Sequence, residues 1–335
     1  MKTKSTMQAL FIDEPNGAFI TREIEMPTPG PGELLVKITA SGVNPLDIKI
    51  RQGKAPHARH AFPAILGLDM SGTVVQVGEN VNDFKPGNDV FGMVGGVGNI
   101  QGTLAEYAVV DANLIAHKPV NMTFREAAAL PLIFITAWEG LIDRGRIRRD
   151  DKILIHGGAG GVGHVAIQLA RAYGAEVFAT VSTLDMDIPV QYDAVPINYE
   201  SKTVEDYVLE YTNNAGFDVI FDTVGGPTLD KSFEAVRSYG GHVISCLGWG
   251  THSLAPLSFK SASYSGVFTL SPLLTGIGRV HHGEILKKAA HLYEAGQLKV
   301  RVDTSLFSIS AVDSAYELIS NKKNAGSIVI SLDCE

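Results

Sequence analysis

The chain has 335 residues, of which 45% are apolar and only 19% charged, the make-up of a well-filled globule with material for roughly two packed cores. A formal charge of −8, with no basic run denser than residues 144–149, speaks against phosphate-backbone binding, so nucleic acid is not an expected partner. The longest apolar run, residues 127–138, is too short for a bilayer, the start of the chain lacks a signal-like apolar core, and two cysteines, Cys246 and Cys334, make no disulfide framework; a reducing cytoplasm is the expected location.

From about residue 8 to residue 118, short alternating or apolar runs (ELLVKITASGV, SGTVVQV, DVFGMV, LAEYAVV) are punctuated by Pro/Gly clusters such as MPTPGPGE and DFKPGND. Proline fixes φ and glycine supplies positive φ, so these clusters are turns, and the segment predicts a β-rich domain in the form of a partly open barrel. At Phe124 the texture changes. Residues 123–144 have helical spacing, with Thr123 at the N-cap and Glu126 at the capping-box position.

The segment KILIHGGAGGVGHVAIQLAR, residues 152–171, follows directly. An apolar strand over residues 153–156 runs into three spaced glycines. Gly158 is expected to permit the tight turn, Gly160 to let backbone approach a pyrophosphate, and Gly163 to let helix pack on strand. Gly161 and Val162 then open a helix whose first N–H groups face the anion, with Val165, Leu169 and Ala172 on its buried stripe. A second strand over residues 176–181 completes the unit; three spaced glycines alone are a weak signal, but strand, helix and strand around them make it specific for a dinucleotide.

Beyond residue 151, strands and helices alternate through DAVPI, FDVIFDTVGG, HVISCLG and a last strand GVFTL, which predicts an α/β fold: a doubly wound parallel sheet with helices on both faces. Ligands of such sheets sit outside the carboxyl ends of the strands where strand order reverses, so the loops Thr223-Val224-Gly225, Cys246-Leu247-Gly248 and Phe268-Thr269-Leu270 are expected to line the site. A helix over residues 283–295, a strand near 298–302, a helix near 312–321 and a strand over 327–331 close the chain. The expected division is 1–122 for the β-rich domain, 123–278 for the dinucleotide domain and 279–335 for a return to the first.

Five ordered stretches carry a family likeness: ASGVNPLDIKIRQG, FPAILGLDMSGTVVQVGENVNDFKPGNDVFG, GTLAEYAVV, EAAALPLIFITAWEGL and GGAGGVGHVAIQLARAYGAEV. In these the chain resembles the medium-chain dehydrogenase/reductase superfamily, and within it the zinc-independent quinone oxidoreductase, or zeta-crystallin-like, branch. The resemblance implies a GroES-like substrate domain built from both chain ends, a Rossmann NAD(P)-binding domain between them, a small-molecule substrate, and a homodimer formed through the cofactor domains. No membrane partner is implied.

Zinc members of that superfamily hold the metal with three protein ligands, and the corresponding positions here are Asn44, Leu68 and Leu132; residues 94–100, where a structural zinc lobe would lie, contain no cysteine. No metal is therefore expected. Without a Lewis acid, the favoured substrate is an acceptor that can spread charge over its own oxygen, a quinone or an α,β-unsaturated carbonyl.

The resemblance offers Asn44, Asp47 and Thr136 as catalytic candidates: Asn44 as an amide beside the nicotinamide, Asp47 to orient it, Thr136 near the carboxamide. A turn asparagine before Pro45, a helix-capping aspartate and a backbone-bonded threonine are the structural alternatives. Related reductases carry tyrosines after the asparagine; this chain has Lys49, Lys54 and His57, which leaves solvent or His57 as the proton source, with an exposed loop histidine as the other reading.

At the end of the second strand, Thr180, Val181 and Ser182 include no acid for a ribose 2′-hydroxyl, so NADPH is the expected cofactor, with Ser182 and Tyr199 at its 2′-phosphate and NADH left open. The family lysine of that pocket falls at Met186, between Asp185 and Asp187. Two other readings stay open: a zinc-free NAD(P)-dependent alcohol or aldehyde dehydrogenase, and a non-catalytic NADPH-binding protein.

Overall fold

Residues 5–332 are described by a computed structural model, in which the chain divides into two compact units. The first runs to Leu132 and resumes at Leu270; the second is Ile133–Thr269. In chain order the strands of the first unit are β1 Thr6–Ile12, β2 Ile20–Glu25, β3 Glu33–Val43, β4 Ala64–Ile65, β5 Asp69–Val77, β6 Asp89–Met93, β7 Tyr107–Asp111 and β8 Ile115–His117. The second unit contributes β9 Lys152–His156, β10 Glu176–Val181, β11 Val195–Asn198, β12 Val219–Asp222, β13 His242–Ser245 and β14 Ser263–Gly266. β15 Phe307–Ser308 and β16 Ile328–Ser331 then rejoin the first.

β3 is the spine of the first unit. It pairs antiparallel with β5 along its length on one side, and on the other with β7 at its start and β16 at its end, so the last strand of the chain closes onto the first domain. The resulting order is β15-β16-β3-β5-β6-β8, with β1, β2 and β4 in a separate small sheet. β15 and β16 lie in the first unit, and the expected strand near 298–302 is reduced to an isolated bridge between Val302 and Ser327. The long helix begins at Arg279, earlier than residue 283, because Gly278 takes a left-handed φ of 93° and serves as its N-cap.

The helical segment expected over residues 123–144 is three pieces: α1 being the short helix Pro45–Arg51, these are α2 Phe124–Ala129, α3 Pro131–Trp138 and a π-helical turn Glu139–Arg144. Pro131 has no N–H to continue the ladder, and so starts a new helix. The capping box forms as read: Thr123 Oγ1 accepts from Glu126 N at 3.2 Å, and the Glu126 carboxylate accepts from Thr123 N at 2.9 Å. α2 packs Ala128 and Ala129 against Ala40 and Val329, which is why the first unit extends past residue 122 to Leu132. Thr123→Ala is expected to cost about 1 kcal/mol, measured as a shift in the urea midpoint with unchanged slope.

In the second unit every neighbouring strand pair is parallel, in the order β11-β10-β9-β12-β13-β14. The order reverses between β9 and β12, which puts the ligand crevice of such a sheet outside their carboxyl ends. One face is sealed by Leu154, Phe178, Phe217, Ile220 and Phe233. The last strand is SYSG, not the expected GVFTL. The polar, exposed segment makes the edge pairing with β13, and the apolar residues Val267 and Leu270 are buried in the loop that leaves it. Cys246 follows β13 in this unit, its Sγ 3.9 Å from the Asp222 carbonyl, and Cys334 lies outside the described residues.

Candidate active site

The glycine turn sits at the end of β9, with α4 Gly161–Ala172 rising from it. The tight turn is made by Gly157, at φ 77°, one residue earlier than expected. Gly158 instead meets β10: a Cβ there would lie 2.7 Å from the Ala179 Cβ. Gly160 is the N-cap of α4, and the N–H groups of Gly161, Val162 and Gly163 open its first turn, where they have no intrahelical acceptor. Gly163 is where helix meets turn, since a Cβ would stand 2.1 Å from the Gly157 carbonyl oxygen. A twelve-residue helix with donors and positive dipole end at this mouth fits a pyrophosphate.

The loops beyond β12 and β13 are tied down by a residue the sequence reading passed over, Asp222. It is fully buried and accepts from Val224 N at 3.0 Å, Gly225 N at 3.0 Å and Ser245 Oγ at 2.8 Å. Ser245 Oγ in turn accepts from Leu247 N, and Thr223 Oγ1 donates to the His156 carbonyl at 2.6 Å. Thus Thr223, Val224, Cys246, Leu247 and Gly248 are gathered at the carboxyl end of the sheet, with the Phe268 ring edge-on to Trp249 and Thr269 buried beside it in sequence. Leu270 is buried and already belongs to the first unit. His156, in register with Asp222, bonds Thr180 Oγ1 at 3.0 Å and is pushed down to about 4 by burial, with the Asp222 charge opposing; at neutral pH it is uncharged.

Two further carboxylates stand at the end of β10. Ser182 Oγ donates to Asp185 at 2.7 Å, and Thr183 gives both its N–H (3.0 Å) and its hydroxyl (2.5 Å) to Glu200. Tyr199 follows β11 and is exposed.

In the first unit, Asn44 is the N-cap of α1 and is buried. Its backbone N–H donates to Asp47 at 2.8 Å and its side-chain Nδ2 donates to Asp69 at 2.9 Å. Asp69, fully buried at the start of β5, also accepts from Leu132 N at 3.1 Å. Asn44 and Leu132 therefore converge on the carboxylate of Asp69, the residue after Leu68. Burial pushes Asp47 up to about 7, against the opposing N–H groups of Asn44, Gly67 and Leu68. Burial also holds Asp69 well above the usual carboxylate range, and the nearby Asp47 pushes the same way. Asp69 is the main omission of the sequence reading, since nothing in GLDMSG marks its aspartate as the partner of an asparagine 25 residues earlier.

Zinc does not fit this donor set. Residues 44, 68 and 132 offer one amide and two hydrocarbon side chains, both carboxylates are engaged by N–H donors, and no group of three or more His, Cys, Asp or Glu among the described residues is arranged to hold a metal ion. Of the remaining candidates, Thr136 is buried on α3 in the second unit. His57 lies half-buried in a 3-10 turn, where burial and then the Lys49 charge lower its proton affinity and so favour the neutral imidazole. Lys49 and Lys54 are exposed. No helix among the described residues is long and apolar enough to cross a membrane.

A family model described as alcohol dehydrogenase GroES-like domain matches residues 30–120, and one described as zinc-binding dehydrogenase matches residues 192–330. NAD(P)H oxidoreductase RTN4IP1, mitochondrial, of Danio rerio is 30% identical, the alignment covering 90% of this chain and 84% of that protein. NADPH-dependent alkenal/one oxidoreductase, chloroplastic, of Arabidopsis thaliana is 34% identical over 89% of this chain and 72% of that protein. A solved structure of an alcohol dehydrogenase superfamily protein from Novosphingobium aromaticivorans superposes with a TM-score of 0.96 at 52% identity, covering 98% of this chain and 100% of that chain.

Proposed function

The chain belongs to the medium-chain dehydrogenase/reductase superfamily, in company with quinone and alkenal oxidoreductases, and from that membership we propose that it reduces a quinone or α,β-unsaturated carbonyl with a nicotinamide dinucleotide and without zinc. NADPH is the form expected from the sequence, with NADH open. The observation that carries the reading is Asn44 itself: an amide, locked to Asp69 at 2.9 Å, where zinc relatives present a metal ligand.

When bound, the dinucleotide supplies the hydride. The first turn of α4 and the loops held by Asp222 bind and orient it. Asn44 is preorganised, because its backbone and its side chain are both anchored and no reorganisation is required when charge develops on the acceptor oxygen. Thr136 is assigned to the nicotinamide carboxamide. The proton that completes reduction comes from solvent or from His57. A homodimer through the cofactor domains and a cytoplasmic location complete the proposal.

Turnover of 9,10-phenanthrenequinone and a simple enone, against oxidation of simple alcohols by NADP⁺ or NAD⁺, separates this reading from a dehydrogenase and from a silent binding protein. Acceptor reduction with no alcohol oxidation is expected; binding of the coenzyme with no turnover of either acceptor would sink it. Asn44→Ala should lower kcat/KM by about 10²-fold, with coenzyme affinity unchanged by fluorescence titration.

A further inference from the structure

The corner beyond β10 and β11 is filled by the chain's own acids. In a parallel sheet of this order the adenosine ribose lies at the carboxyl end of the second strand, where an acid marks a 2′-hydroxyl and a cation marks a 2′-phosphate. Besides the exposed Tyr199 hydroxyl, three groups at the end of β10 could donate to a phosphate: Ser182 Oγ, Thr183 Oγ1 and Thr183 N. All three already donate to carboxylates: Ser182 to Asp185 at 2.7 Å, and both groups of Thr183 to Glu200 at 2.5 and 3.0 Å. The arrangement is braced, because Asn198 Nδ2 donates to Thr183 Oγ1 at 2.9 Å and Asn198 Oδ1 accepts from Glu200 N at 2.9 Å.

No lysine or arginine occurs between residues 182 and 201. The next cation, Lys202, is engaged by Glu210 and by Tyr211 Oη. The Thr183 hydroxyl and then its amide hold Glu200 below the usual carboxylate range, so it is ionised at neutral pH. A 2′-phosphate, with close to two negative charges, would have to displace these carboxylates from their donors and then remain beside them. A hydroxyl donates to them without displacement.

Resting on the nicotinamide-dependent reading above, we infer that the 2′ corner of this chain is built for a ribose hydroxyl, with Asp185 and Glu200 as the specificity-determining residues, so that NADH binds at least as tightly as NADPH. This sets the chain apart from the NADPH expectation drawn from the missing acid at residues 180–182: the acids are present, but they arrive from three and eighteen residues beyond Ser182.

The test is equilibrium titration of the full chain with NADH and with NADPH, followed by quenching of protein fluorescence, at low and high salt. The expected result is a Kd for NADH no larger than that for NADPH, with the NADPH value improving relative to NADH as salt screens the repulsion. Glu200→Gln, which keeps the shape of the corner, together with Met186→Lys should move the affinity ratio at least tenfold toward NADPH. Tighter NADPH binding by the unaltered chain, or a ratio unmoved by the double substitution, overturns the inference and leaves the hydride-transfer reading standing; binding of neither dinucleotide overturns both.

Discussion

Gly163→Ala is expected to weaken dinucleotide binding by two orders of magnitude or more and to cost about 3 kcal/mol of stability, at the upper end for overpacked sites. A single methyl has this effect because its neighbours are main-chain atoms. The added Cβ would stand 2.1 Å from the Gly157 oxygen and 2.9 Å from the Gly158 Cα, and neither belongs to a side chain that can rotate away. Gly157 is itself fixed in the left-handed region at φ 77°, and Gly158 N donates to the Thr180 carbonyl at 3.0 Å, so relief means moving α4 away from the turn. That displaces the N–H groups that would face the phosphates. Gly161→Ala is the control, its Cβ meeting only the Ile133 Cγ2 at 3.3 Å. Fluorescence titration and urea unfolding of both variants read the two effects; a Gly163→Ala protein that binds like the parent removes the close-approach argument.

The second large effect is a dependence of stability on pH centred on Asp47. Its carboxyl titrates near 3.8 when unperturbed and is pushed up to about 7 in the folded chain by burial. Below pH 3.8 both states are protonated and the group contributes nothing. Between the two values the unfolded chain has lost the proton and the folded chain has kept it, so stability falls as pH rises. By pH 7 to 8 the accumulated cost is about 4 kcal/mol. Asp69 is raised as well and adds in the same direction. Asp47→Asn keeps an oxygen able to accept the Asn44 N–H while removing the charge. It should therefore be the more stable protein at pH 8, with the difference vanishing toward pH 4. Urea denaturation of the pair of proteins at the two pH values measures this directly, and a difference that does not change with pH would show that Asp47 is ionised at little cost where it lies.

That cost falls beside Asn44, whose backbone and side chain are held by the two raised carboxyls. Buried acids with displaced titration cluster at working sites more often than in structural cores. Here they anchor an amide to a helix start and a strand start, which is the rigidity the proposed chemistry asks of it.

Several features were legible before any fold was known. The strand Glu176–Val181 forms over the expected residues, the Thr123–Glu126 capping box closes, and the six-stranded parallel sheet reverses where the glycine turn lies. Each of these is written in adjacent residues, as a period of two or 3.6, a capping pair, or glycines at close intervals. The misplacements were local as well: GVFTL has the apolarity of a strand, but edge strand β14 faces outward and needs none.

What the chain order declares, then, is the two-unit architecture, the dinucleotide cradle and the absence of metal donors at residues 44, 68 and 132. What folding had to settle is the company each polar group keeps. Asn44 meets an aspartate 25 residues away, that aspartate meets a backbone amide 63 residues further on, and Thr183 meets Glu200 across the β10–β11 connection. Periodicity and turn chemistry act between near neighbours along the chain. A buried hydrogen bond is made with whatever donor the packing of distant segments brings within 3 Å, and no local pattern encodes that choice.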